Sequence, residues 1–257
     1  MKKIFDSHAH YESERFDKDR DTVVARILNE SVCGIINVGS DILTSQLSLE
    51  LAERYSNLYA AVGVHPHEAE KVTKDYLDII RILAKNKKTV AIGEIGLDFH
   101  YDFSPRDIQL KVFKEQLSLA REMSMPVVIH SREACAQTVE LCKNFKPKGV
   151  VHCFTGSAET AKEYLRLGMY IGFTGVVTFS NARRVVEAVS VVPLDRILLE
   201  TDCPYMAPEP FRGKRCDSSM LIKTAERIAQ IKGISCDELI NAATENTKQM
   251  FNITINN

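Results

Sequence analysis

The chain has 257 residues, 45% of them hydrophobic and 26% charged, with a formal net charge of −1. That is material for a substantial core, and it excludes both a disulfide-stapled mini-domain and wholesale disorder. The balanced charge excludes a protein that coats nucleic acid by bulk attraction, so any such contact must come from a local basic patch.

In chain order, short β-rich apolar runs predict strands at 4–6, 34–38, 59–63, 90–94, 127–130, 150–153, 169–173 and 197–201. Their starts lie 19 to 37 residues apart, the length of a strand plus one crossover helix. Ser104-Pro105 predicts an N-cap followed by proline at the first helical position, for a helix running to about Met123. Pro126, Pro147 and Pro193 stand just before strands, where a helix must already have ended. Ser235-Cys236-Asp237-Glu238 has capping-box spacing ahead of a C-terminal helix. No glycine- or serine-rich linker intervenes, so residues 1–257 read as one domain. The expected fold class is α/β, a (β/α)8 TIM barrel, with a doubly wound open sheet as the alternative. Both place ligands at the C-terminal ends of the strands.

No stretch of about 18 apolar residues exists, which excludes a helical membrane span. The start, Met1-Lys2-Lys3-Ile4-Phe5-Asp6, reaches an acid too early for a signal peptide. Seven cysteines (Cys33, Cys135, Cys142, Cys153, Cys203, Cys216, Cys236), odd in number and without a C-x-x-C pair, read as free thiols in a reducing cytosol. A cytoplasmic protein is expected, and the charge balance permits a monomer.

All seven histidines, His8, His10, His65, His67, His100, His130 and His152, fall at or just beyond the C-terminal end of a predicted strand. His8 and His10 are two apart, so on an extended chain both point to the same side. Glu94 ends strand four between Gly93 and Gly96, and Asp202 follows strand eight. Imidazoles with carboxylates suit Zn²⁺, Mn²⁺ or Mg²⁺ at a metal site on the C-terminal rim. Two carboxylates and four neutral imidazoles carry −2, which leaves two divalent cations a surplus for a hydroxide and an anionic substrate. Two ions are therefore expected, and one ion with fewer ligands is the alternative.

The motifs Asp6-Ser7-His8-Ala9-His10, Gly63-Val64-His65-Pro66-His67, Gly93-Glu94-Ile95-Gly96-Leu97-Asp98, His130-Ser131-Arg132, His152-Cys153-Phe154, Leu199-Glu200-Thr201-Asp202-Cys203-Pro204-Tyr205 and Arg212-Gly213-Lys214-Arg215 resemble, in order, those of the TatD family of metal-dependent hydrolases. The resemblance runs from Phe5 to Phe251. It implies a TIM barrel of the amidohydrolase superfamily with His8, His10, Glu94, His130, His152 and Asp202 as ligands of a binuclear site that Glu94 bridges. It departs after the basic loop, where the family commonly has asparagine, glutamate and proline and this chain has Cys216-Asp217-Ser218.

The chemistry expected is hydrolysis by a metal-activated water, with Glu94 and Asp202 as catalytic groups and Asp202 taking the proton. Arg132, Arg212, Lys214 and Arg215 are expected to hold phosphates, and His65 or His67 to contact substrate or to support a metal ligand from behind. Phe99, Tyr101, Phe103, Tyr205 and Phe211 follow strands four and eight and are read as packing rather than base-stacking rings. The expected enzyme is a deoxyribonuclease, a 3′–5′ exonuclease on single-stranded or end-bound DNA or RNA. One alternative is an ester or amide hydrolase, such as a D-aminoacyl-tRNA deacylase. The other is a catalytically silent metal-binding barrel.

Overall fold

The computed structural model describes residues 3–254, so Met1 and Lys2, where the leader reading begins, and the last residues of the 1–257 span lie outside it. Eight parallel strands form one sheet in sequence order: β1 (Ile4–Ala9), β2 (Val32–Val38), β3 (Leu58–Val62), β4 (Thr89–Asp98), β5 (Val127–Arg132), β6 (Gly149–Val151), β7 (Tyr170–Phe173) and β8 (Ile197–Leu199). The last and first strands approach one another just past β8. The Asp202 amide donates to the His8 carbonyl at 2.9 Å, and the His10 amide donates to Cys203 at 2.7 Å. All eight predicted strands are present, and the fold is the expected (β/α)8 TIM barrel.

The helices lie outside: α1 (Arg20–Glu30), α2 (Ile42–Arg54), α3 (Tyr76–Ala84), α4 (Arg106–Glu122), α5 (Cys135–Phe145), α6 (Ala158–Arg166), α7 (Arg183–Val191), α8 (Leu221–Lys232) and α9 (Cys236–Phe251). Alternation along the strands separates two layers. Ile92, Ile129, Val151, Ile171 and Leu199 pack outward among helix residues such as Val112, Phe113 and Ile228. Phe5, Ile36, Ala61, Val128, Val150 and Leu198 fill the barrel. Met250 and Phe251, at the end of α9, join that inner cluster with Tyr59 and Tyr170 and close the end where the strands begin. The ligand-bearing end is left open. No helix among the described residues is long and apolar enough to cross a membrane.

Two local expectations are corrected. Ser104 does not cap α4, because its hydroxyl is used elsewhere: it donates to the His67 carbonyl and accepts from the Glu70 amide, both at 3.0 Å. Pro105 takes the N-cap place. Strand β4 runs four residues beyond Glu94, pairing Gly96 with His130, Leu97 with Ser131 and Asp98 with Arg132. Glycine makes this possible: Gly96 has φ 149°, and a Cβ there would lie 2.0 Å from the His130 carbonyl oxygen. The expected cap at Ser235 forms, its side chain accepting from the Glu238 amide.

Candidate metal centre

The open end holds a cavity of about 620 Å³ whose wall includes His10, His65, Glu94, His130, His152 and Asp202. Each arrives from a strand end. His8 lies in β1 with His10 just past it, Glu94 in β4, His130 in β5, His152 one residue past β6, and Asp202 in the turn after β8. Asp202 has φ 58° and Cys153, beside His152, φ 43°, left-handed conformations that bend both chains sharply inward at the rim.

Glu94 is the centre of the arrangement. Its Oε1 faces His152 Nε2 at 2.7 Å, His130 Nδ1 at 2.9 Å and His65 Nε2 at 3.3 Å. Its Oε2 faces the other pair, His8 Nε2 at 3.4 Å and His10 Nε2 at 3.9 Å. Asp202 Oδ1 lies 3.3 Å from His10 Nε2 and 3.7 Å from His8 Nε2. The imidazoles also crowd one another. His8 and His10 meet Nε2 to Nε2 at 3.1 Å, His130 Nδ1 lies 3.2 Å from His152 Nε2, and the His8 and His152 rings stack at 4.0 Å.

The outward nitrogens decide which inward ones carry lone pairs. His10 Nδ1 donates to the Val38 carbonyl at 2.7 Å, which leaves Nε2 free to ligate. His130 Nε2 donates to Asp98 Oδ2 at 3.2 Å, which leaves Nδ1 free. His65 is the opposite case. Its Nδ1 accepts from the His67 amide at 3.1 Å, so its proton sits on Nε2 and is given to Glu94. His65 thus steadies Glu94, and support of a ligand from behind was one of the two roles expected of His65 or His67.

The electrostatics call for a cation. Burial pushes the Glu94 and Asp202 carboxyls up, but the histidines around them outweigh it, with His152 and His65 leading at Glu94 and His10 at Asp202, and both are held below the carboxylate range. Burial likewise drives His8 and His65 down to about 4, leaving neutral rings. It is overcome at His10, which Asp202 and Glu12 raise well above its usual value, and at His130, which Asp98 and Glu94 raise to about 9. Without a metal the chain must answer buried carboxylates by protonating buried imidazoles. A divalent ion answers them while using the same nitrogens. His8 Nδ1 and His152 Nδ1 are buried without a hydrogen-bond partner among the described residues, so the short polar contacts of both rings are made by their inward nitrogens. The donor set fits divalent metal.

Four acids around this centre were assigned no role from the sequence. Asp98 Oδ2 holds both His130 and His67 (2.9 Å), while its Oδ1 accepts from the His100 and Tyr101 amides. Glu200 is fully buried, accepts from the Cys153 amide and lies 3.8 Å from His152 Nδ1. Asp6 takes the hydroxyls of Thr201 and Ser218 at 2.6 Å each and ties β1 to the segment carrying Asp202. Glu12 lies 3.4 Å from His10 Nδ1. An acid inside an apolar run with no helix to cap was the available signal for Asp98 and Glu200.

The basic residues divide. Arg132 lines the cavity, its guanidinium 4.6 Å from the Tyr101 ring centre and without a carboxylate partner among the described residues. Arg212, Lys214 and Arg215, expected at the substrate, are off the cavity wall. Arg212 lies over Phe179 and Lys214 over Phe211. Arg215 is committed to structure by a two-pronged ion pair with Asp19 at 2.7 and 2.8 Å. His100, also on the rim, is exposed and pairs with Glu133 at 2.7 Å.

Comparison with known proteins gives the family of the chain. The chain is 44% identical over 253 residues to a Bacillus subtilis protein described as an uncharacterized metal-dependent hydrolase, YabD, with 97% of this chain and 99% of that one covered. It is 34% identical to a protein of Erwinia tasmaniensis described as the 3′-5′ ssDNA/RNA exonuclease TatD, covering 97% and 100% of the two chains. The crystal structure of YjjV, a TatD homolog from Escherichia coli, superimposes with a TM-score of 0.92 at 31% identity over 98% of each chain. The model of the TatD related DNase family matches residues 5–252, and the chain belongs to that family.

Proposed function

We propose that the protein is a metal-dependent nuclease that removes nucleotides from the 3′ end of single-stranded DNA or RNA, with two divalent ions held on either side of Glu94. The single observation that supports it best is the division of the Glu94 carboxylate. One oxygen faces His130 and His152 and the other faces His8 and His10, with Asp202 beside the second pair. The activity and direction named for the TatD exonuclease relative carry over at 34% identity. Mg²⁺, Mn²⁺ and Zn²⁺ all suit these ligands. Seven free cysteines suit the reducing cytoplasm.

His8, His10, Glu94, His130, His152 and Asp202 would hold the divalent ions, which would supply Lewis acidity for activating water and for a phosphoryl oxygen. The chain does the rest. Asp202, ionised and reachable from the cavity, takes the proton of the attacking water. Arg132, its N–H groups unclaimed by any acid, receives a phosphate of the strand. The barrel floor is closed by the packed inner cluster, so a strand enters by its end.

The test is cleavage of end-labelled single-stranded oligonucleotides by metal-stripped protein, with Mg²⁺, Mn²⁺ or Zn²⁺ added back and Glu94→Ala as control. A 5′-labelled strand shortened stepwise, only with metal and only by the wild type, supports the proposal. Absence of cleavage with metal stoichiometrically bound contradicts it, and ester and amide substrates, aminoacyl-tRNA among them, are then tried.

A further inference from the structure

Large apolar side chains are rarely left in water unless they meet something. Seven are exposed among the described residues, and three of these, Tyr101, Tyr205 and Met206, line the cavity. Phe103, 64% exposed, stacks on Tyr101, 48% exposed, with ring centres 5.2 Å apart and planes 14° from parallel. Both were expected to be packing residues. Phe99 and Phe211 do pack against the core, but this pair does not.

We propose that Tyr101 and Phe103, with the Arg132 guanidinium lying over Tyr101, form a platform that takes the unpaired terminal base of the strand. The proposal rests on the nuclease reading above and names the part of the substrate that reading leaves unassigned.

The platform is built in advance of any ligand. Asp98 Oδ1 accepts from the His100 amide at 2.9 Å and from the Tyr101 amide at 3.0 Å, which sets the loop that follows β4. Arg106 crosses the same loop, bonding Asp102 and the Phe99 carbonyl. Ser104 ties its far end to the His67 carbonyl. The platform also has a fixed place relative to the candidate metal centre. His67 packs edge-to-face with the Phe103 ring at 4.8 Å and with the Tyr101 ring at 5.5 Å between centres. His67 shares Asp98 Oδ2 with His130. One side chain therefore separates the stacked rings from a residue facing Glu94, so a base on the platform lies beside the phosphate at the centre. Every base has a π-face, so such a platform is tolerant of sequence, and its base must be unpaired to reach it. Arg132 then has two roles that are compatible: its guanidinium lies over the Tyr101 ring, and no acid among the described residues claims its N–H groups, which can take a phosphate.

The experiment compares Mn²⁺-loaded protein on two oligonucleotides that differ only in the terminal nucleotide, normal in one and abasic in the other. The wild type prefers the normal end by about tenfold in kcat/KM. In the double variant Y101A/F103A the preference falls to near one, and Tyr101→Phe, which keeps the ring, retains it. A terminal 2-aminopurine read by fluorescence with metal-stripped protein gives a second measure, since its emission is quenched on stacking by the wild type and not by the double variant. Equal cleavage of both ends by the wild type overturns the platform and leaves the nuclease reading intact. A preference that survives in Y101A/F103A overturns it as well. If neither oligonucleotide is cut, the nuclease reading fails, and the emission decides the platform by itself: wild-type quenching lost in the variant supports stacking, and any other pattern overturns it.

Discussion

Asp98→Asn is the substitution from which the structure predicts most. The carboxylate is fully buried and receives four N–H groups, the rings of His67 and His130 on Oδ2 and the amides of His100 and Tyr101 on Oδ1. An amide of the same shape accepts on one edge only, so two N–H groups must face its NH₂. The backbone amides cannot change, whereas an imidazole can move its proton. The amide oxygen therefore stays with the loop, and its nitrogen turns to the rings. His130 must then accept at Nε2 and carry its proton on Nδ1, the atom 2.9 Å from Glu94 that should offer a lone pair to a metal. Loss of such a supporting partner costs about 10- to 100-fold in metal affinity, or about 1.4 to 2.7 kcal/mol. Competition with a chromogenic chelator measures it for Mn²⁺ or Zn²⁺, and circular dichroism confirms that the variant is folded. A folded Asp98→Asn protein that binds metal as tightly as the wild type would refute the assignment of His130 as an Nδ1 donor oriented by Asp98.

Further outcomes follow from the same geometry. Arg132→Ala should raise KM for oligonucleotides about tenfold with a smaller change in kcat, because the guanidinium grips substrate away from the reacting atoms; an unchanged KM counts against its phosphate role. Arg215→Ala should leave that KM alone and lower unfolding stability by no more than about 1 kcal/mol in a urea titration, since its partner is the half-exposed Asp19. A KM effect there would return the basic loop to the substrate. Metal binding near pH 7.5 should release protons, because His130, raised to about 9, is protonated without metal and must be neutral to ligate. Metal affinity should accordingly climb with pH up to about 9. Calorimetry in buffers of different ionisation heat reads the release, and buffer-independent heats would contradict it.

The barrel was legible because its strands are short β-branched runs spaced by helix lengths, and because the histidines fall where those runs stop. The facing of His8 and His10 followed from strand periodicity alone, and the rings do meet at 3.1 Å. Asp98 was missed because the strand was ended at Glu94. The glycines that break its apolar pattern are what allow β4 to press on β5 and continue. Glu200 was passed over for its neighbour Asp202, although an acid directly after Ile197-Leu198-Leu199 must be buried with the strand. The fate of Arg215 lay beyond local reading, since its partner Asp19 is 196 residues away. Exposure of Tyr101 and Phe103 was illegible for the same reason: an aromatic after a strand packs or projects according to the loop around it, and here that loop is set by Asp98, Ser104 and Arg106.

The most direct test of the central claim is anomalous diffraction from crystals grown with Mn²⁺. The account predicts two peaks, one between Glu94, His130 and His152 and one between Glu94, His8, His10 and Asp202, about 3.5 to 4 Å apart as in other two-metal sites. A single peak, or peaks that do not touch Glu94, would contradict it.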